Sequence, residues 1–127
     1  MAKRLLAIED DALHHMIIGK IAVTEGYETS VATSVEQAAG LLRGGEFDCV
    51  TLDLSLGERP GVYVLGVLAE LGTQVPVVIF SGHDDEVSRE TVRIGKSLGL
   101  NIYPPLVKPQ GIVDLRKVLA SIGRAEV

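Results

Sequence analysis

Glu9, Asp10, Asp53, Ser81 and Lys108 each close, or directly follow, a short apolar run. Runs of that kind read as buried strands, and a buried strand does not carry a carboxylate in its interior. The polar groups are tolerable only where the chain leaves the sheet and water or a ligand reaches them. Asp53, the last residue of Cys49-Val50-Thr51-Leu52-Asp53, is therefore the first functional suspect. Three carboxylates gathered within a few ångströms repel one another, and at least one then titrates high. A bound divalent cation removes that penalty. Oxygen-only ligands with positions left for water suit Mg²⁺, with Mn²⁺ or Ca²⁺ expected to stand in for it in crystals. No soft ligand for zinc is near; Cys49 reads as a small core residue. A metal, a carboxylate, a hydroxyl and an ammonium around one point suit phosphoryl transfer. The Asp53 carboxylate is the nucleophile and forms an acyl phosphate. The cation and Lys108 neutralise charge on the equatorial oxygens, and the Ser81 hydroxyl bonds one of them.

The chain must bring these residues to one rim. Leu5 to Ile8 predicts a first buried strand, followed by a helix capped by Asp11. Leu13, Met16, Ile17 and Ile21 supply that helix with an apolar stripe, and Gly26 stops it. Tyr27 to Thr33 reads as an outer strand. Ser34 and Gln37 match a capping box for a second helix with Ala38, Leu41 and Leu42 on its stripe. The strand to Asp53 comes next, then a loop from Leu54 to Pro60. Val62, Leu65, Leu68 and Leu71 mark a third helix, closed by Gly72. Val75 to Phe80 is another apolar strand, and Val87, Ile94 and Leu98 give a fourth helix its stripe up to Gly99. Leu100 to Val107 is a last strand, at an edge or distorted, because Pro104 and Pro105 have no N–H to donate. Ile112, Leu115, Leu119 and Ile122 mark the final helix. Strand and helix alternate throughout, which implies an α/β parallel sheet covered on both faces. The three fully apolar runs belong in its centre. That fits a doubly wound sheet of order 2-1-3-4-5, where ligands bind beyond the carboxyl ends of strands 1 and 3.

Bulk properties narrow the classes. A chain of 127 residues holds one domain with a real core. Its composition, 46% hydrophobic and 23% charged, is globular. A net charge of −5 argues against non-specific nucleic-acid binding or attachment to an anionic membrane. A single cysteine forbids an internal disulfide and suits a reducing compartment. No stretch has the length of a signal-peptide core or a membrane span. A cytoplasmic domain is the expectation.

The chain resembles a response-regulator receiver domain of two-component signalling over essentially its whole length, 1–127, with a short polar tail from about residue 123. The resemblance rests on Glu9-Asp10 after strand 1, Asp53 ending strand 3, Ser81 ending strand 4, Lys108-Pro109 ending strand 5, and Gly61 in the loop after the acceptor. It implies a single-domain, flavodoxin-like (βα)5 fold. It implies that Asp53 takes a phosphoryl group from a histidine kinase, a histidine phosphotransfer protein or a small phosphodonor. Mg²⁺ is then held by Asp10, Asp53 and the backbone carbonyl of Ser55, with Glu9 acting through water. Such domains are not enzymes beyond self-phosphorylation and slow self-dephosphorylation. They act through a downstream protein or a fused effector domain, which this sequence does not name. The bond before Pro109 is expected to be cis, which aims Lys108 inward. Three positions depart from the family pattern. Pro105 stands where an aromatic usually swings inward, and Tyr103 is expected to substitute for it unless that relay is absent. Gly57 stands where proline is common, and Gln110 replaces a common aromatic; both concern the output surface. The Ser81-Gly82-His83-Asp84 run also looks similar to receivers attached to cyclic-di-GMP phosphodiesterase domains.

Plainer readings stand beside these. Glu9-Asp10-Asp11 also suits a solvated helix cap, Ser81 an N-cap and Lys108 a surface lysine. His14 and His15 read as solvated or rim residues, since adjacent helical positions face different directions and cannot pair on one metal. His83 reads as a loop histidine. Ser55 and Glu58, near the acceptor, read either as loop residues or as influences on its hydrolysis. Other functions on the same fold are a flavin- or nucleotide-binding module, which the acidic loop after strand 1 disfavours, an aspartyl phosphatase, and a receiver-like interaction module that is never phosphorylated. Only a short tail follows Ile122, as in a stand-alone receiver or one taken from a longer chain.

Overall fold

β-strands and α-helices alternate along the chain: β1 (Lys3–Ile8), α1 (Ala12–Thr24), β2 (Tyr27–Ala32), α2 (Val35–Gly44), β3 (Cys49–Asp53), α3 (Val62–Leu71), β4 (Val77–Ser81), α4 (Glu86–Ser97), β5 (Leu106–Val107) and α5 (Gln110–Ala125). The computed structural model describes residues 2–54, 60–82 and 86–125. The strands form one parallel sheet of order β2-β1-β3-β4-β5. This is the predicted flavodoxin-like topology, with the apolar runs in the middle and the two poorer ones at the edges.

Strand alternation divides the core. Leu6, Ile8, Val50, Leu52, Val77 and Ile79 pack with Val35, Ala38 and Leu42 of α2 and Val64, Leu65 and Leu68 of α3. Leu5, Ala7, Cys49, Val78 and Phe80 face the other way, onto Ile18 and Ala22 of α1 and Leu115, Leu119 and Ile122 of α5. Both faces of the sheet are covered, so β3 and β4 are buried over their whole length. Parallel strands paired in register bring the carboxyl ends of β1, β3 and β4 to one rim.

Several local readings are corrected. The last strand is far shorter than Leu100 to Val107. Only Leu106–Val107 pairs with β4, preceded by an isolated bridge between Ile102 and Val77. Pro104 and Pro105 lie in the unpaired gap, as residues without an N–H must. In α1 the predicted Ile17 and Ile21 pack against the core beside fully buried Ile18 and Ala22, while Leu13 and Met16 are exposed. In α2 and α3, Leu41 and Leu71 face solvent. In α4 the buried side is Ser88, Thr91 and Gly95; Val87 and Leu98 are exposed. A Cβ on Gly95 would meet the Ile102 side chain at 2.7 Å, so small residues let this helix lie close. α5 buries the predicted Ile112, Leu115, Leu119 and Ile122. Ser34 caps α2 as expected, but Gln37 reaches back to Thr33 N–H at 2.8 Å, one residue earlier than the usual box. No helix among the described residues is long and apolar enough to cross a membrane.

Candidate functional site

Glu9 leaves β1 still tied to the sheet, its N–H donating to the Ala32 carbonyl at 2.9 Å, and its side chain is only 1% exposed. Asp10 is exposed beside it. Asp11 turns the chain into α1: its Oδ1 accepts from Leu13 N–H at 2.9 Å and His14 N–H at 3.3 Å. Those donors, His14 first, hold the Asp11 carboxyl below the usual range. Asp53 ends β3 opposite Phe80 of β4 and is 3% exposed. Gly61 closes over it: a Cβ there would lie 2.7 Å from the Asp53 carbonyl oxygen and 3.2 Å from Leu54 Cα, so any side chain would push the end of β3 aside.

Ser81 ends β4, buried, and its carbonyl accepts from Lys108 N–H at 2.8 Å. That bond carries the end of β5 to the rim. The Lys108–Pro109 bond is cis, as the sequence resemblance implies. The Lys108 ammonium lies 2.7 Å from Glu9 Oε2 and 3.3 Å from Asp53 Oδ2. Glu9, Asp10 and Asp53 each offer a carboxylate oxygen, and these oxygens lie within 4.8 Å of one another. Burial pushes the Glu9 carboxyl above its ordinary value; Lys108 opposes that and the neighbouring Asp53 adds to it. The repulsion expected of clustered carboxylates is therefore present, and the donor set, all oxygen with two members buried, fits a hard divalent cation.

Glu9, Asp10, Asp53 and Lys108 meet here, with Ser81 at the neighbouring strand end. Ser55, Glu58 and His83 lie outside the described residues, so the carbonyl assigned to Ser55 does too. Tyr103 is half-buried against the α1 and α5 side of the core. Two residues were missed as members of the site. His14 Nδ1 lies 3.1 Å from the Lys108 ammonium and 3.5 Å from Glu9 Oε1, and His15 Nε2 meets the Glu9 carbonyl oxygen. The available signal was the Asp11 cap, which starts α1 directly over the end of β1 and so hangs its first turn above the rim.

Comparison with known proteins agrees with this geometry. The family model described as the response regulator receiver domain matches residues 5–120. The transcriptional regulatory protein BasR of Escherichia coli is 28% identical over 121 residues, covering 95% of this chain and 52% of that protein. ZraR, another E. coli transcriptional regulatory protein, is 29% identical over 115 residues, 91% of this chain and 25% of its own length. The chain thus spans about half or less of these relatives. Among solved structures, the receiver domain of the Pseudomonas aeruginosa sensor histidine kinase PA1611, with magnesium coordinated in its active site cleft, superposes with a TM-score of 0.79 at 21% identity, covering 97% of this chain and 99% of that one. With its matched span, sheet order and acidic rim in agreement, this chain belongs to the response regulator receiver domain family.

Proposed function

We propose that Asp53 is the phosphoacceptor of a Mg²⁺-dependent signalling switch. One observation carries this reading: the Lys108 ammonium bridges buried Glu9 and Asp53 beside a three-carboxylate cluster. Receiver domains are in general signalling domains rather than enzymes. The donor is a histidine kinase, a histidine phosphotransfer protein or a small phosphodonor. Asp53 attacks phosphorus and the bond to the donor nitrogen or oxygen breaks; a histidine donor's ring nitrogen takes up a proton, whereas acetyl phosphate releases acetate as the carboxylate. Asp10, Asp53 and the Ser55 carbonyl would hold the cation, with Glu9 acting through water. When bound, Mg²⁺ supplies charge neutralisation for the phosphoryl oxygens and for the carboxylates that surround them. Lys108 contributes a second positive charge at Asp53 Oδ2, and Ser81 a hydroxyl at the next strand end.

The phosphoryl group adds negative charge to a rim shared by β3, β4 and β5, which biases the contacts of those elements toward a downstream protein or a fused effector domain. Tyr103 takes the part of the aromatic that Pro105 cannot play. The decisive experiment is incubation with acetyl phosphate and Mg²⁺ followed by intact mass. Wild type is expected to gain one phosphoryl group, and Asp53→Asn none. No gain in wild type would leave an interaction module that is never phosphorylated. In the same samples Tyr103→Ala is expected to keep the mass gain and lose the accompanying amide shifts in β5; shifts that persist remove Tyr103 from the relay.

A further inference from the structure

The Lys108 ammonium has three N–H donors and no acceptor. Glu9 Oε2 accepts one of them at 2.7 Å, and Asp53 Oδ2 stands in ion-pair contact at 3.3 Å. The third polar neighbour is not a carboxylate. It is the imidazole Nδ1 of His14, at 3.1 Å. We propose that His14 is a positioning residue for Lys108, its Nδ1 accepting a second hydrogen bond from the ammonium beside the one to Glu9. This rests on the reading of Asp53 as phosphoacceptor.

The chemistry of the contact sets the tautomer. An ammonium can only donate, so the nitrogen facing it must present a lone pair, and the ring proton sits on Nε2. Glu9 Oε1 is farther from the same nitrogen, at 3.5 Å, so the ammonium is the nearer partner. His14 is itself held in place. Its N–H is bonded to the Asp11 cap, and its side chain is 22% exposed. His15, the next residue, binds the Glu9 carbonyl oxygen through Nε2. The first turn of α1 is thereby tied both to the end of β1 and to the tip of Lys108.

β5 gives the reason such a contact is needed. The strand is two residues long, so little ladder pairing holds the lysine. Its backbone has one bond to Ser81, and the end of its long side chain is placed by what it donates to. When Asp53 is phosphorylated, a phosphoryl oxygen replaces Oδ2 as the ammonium's neighbour. Glu9 and His14 hold the ammonium in place while that exchange of partners occurs. A neutral acceptor does this without adding a further negative charge to a crowded rim.

The test compares His14→Leu, which keeps bulk without an acceptor, with His14→Asn, whose amide oxygen can occupy the place of Nδ1. The first readout is the Lys108 Nζ–H signal in a ¹H–¹⁵N spectrum tuned to ammonium groups. It is expected to be protected from water exchange in wild type and in His14→Asn and lost in His14→Leu. The second is the rate of phosphoryl uptake from acetyl phosphate with Mg²⁺. At saturating donor the leucine variant is expected to slow by about tenfold, the size of one hydrogen bond to a charged group. The half-saturating donor concentration should stay unchanged, and asparagine should restore the rate. Amide spectra establish that each variant folds, and His14→Ala serves as a second truncation if leucine disturbs the helix. A leucine variant with the wild-type ammonium signal and rate overturns the proposal, as does a slowed rate that asparagine does not restore. If wild type itself gains no phosphoryl mass, the acceptor reading fails. The ammonium spectrum then decides the contact by itself: signal retained in His14→Leu overturns it, and signal lost there but kept in His14→Asn supports it.

Discussion

β3 and β5 both deliver a reacting group to the rim, and they hold it by opposite means. β3 is buried along all five residues, paired on both sides, and its Asp53 is fixed by strands and by the close approach of Gly61. β5 has two half-buried residues at the sheet edge, and the tip of its Lys108 is fixed by Glu9, His14 and Asp53. The carboxylate is placed by the core and the ammonium by its partners. A phosphoacceptor of the kind proposed for Asp53 gains from that division, because the attacking carboxylate must stay still while the ammonium exchanges a carboxylate oxygen for a phosphoryl oxygen.

The largest expected effect sets the two strands directly against each other. Leu52, fully buried one residue before Asp53, should cost about 3 kcal/mol when replaced by alanine, whereas half-buried Leu106 in β5 should cost about 1 kcal/mol. Urea unfolding measures both, and equal losses would break the contrast.

A smaller change is expected of Glu9→Gln. Glu9 has its carboxyl raised by burial, so the folded protein binds that proton more tightly than the unfolded chain. Stability due to this group is therefore greatest in acid and falls as pH rises through the interval between its ordinary and its raised value. At neutral pH without divalent ions, the neutral glutamine should raise the thermal midpoint and flatten that part of the pH profile. Added Mg²⁺ should stabilise wild type more than the variant. An unchanged midpoint and profile would mean that Lys108 already offsets the burial in full.

The smallest effect tests how complete the burial of β3 is. Thr51 is buried and its hydroxyl finds no hydrogen-bond partner among the described residues. Thr51→Val should be neutral or stabilise by up to about 1 kcal/mol, without altering phosphoryl uptake. A clear loss of stability in urea would show that the hydroxyl is satisfied after all.

The acceptor half of this arrangement was legible in the sequence and the partner half was not. An apolar run ending in Asp53 carries its own explanation, as do the runs ending before Glu9, Ser81 and Lys108. Strand order followed from which runs were apolar throughout. Helix orientation was harder to read. α1 is apolar on more than one side, so the stripe through Leu13 and Met16 competed with the one through Ile18 and Ala22, and only packing chose. α4 was legible only in part: Ile94 packs on the core as expected, but the fully buried residues are the small Ser88, Thr91 and Gly95, which hydrophobic spacing cannot detect. His14 and His15 read from the sequence only as solvated or rim residues. Their contacts depend on how α1 enters over β1, a tertiary fact that no spacing rule records.

Cys49 in β3 has one more consequence. It is the sole thiol of the chain and is fully buried, so an alkylating reagent reaches it only when the middle of the sheet comes apart. The pace of its modification is a built-in clock for opening of the strand that bears Asp53, and a reporter thiol placed anywhere on the surface can be labelled without first removing it.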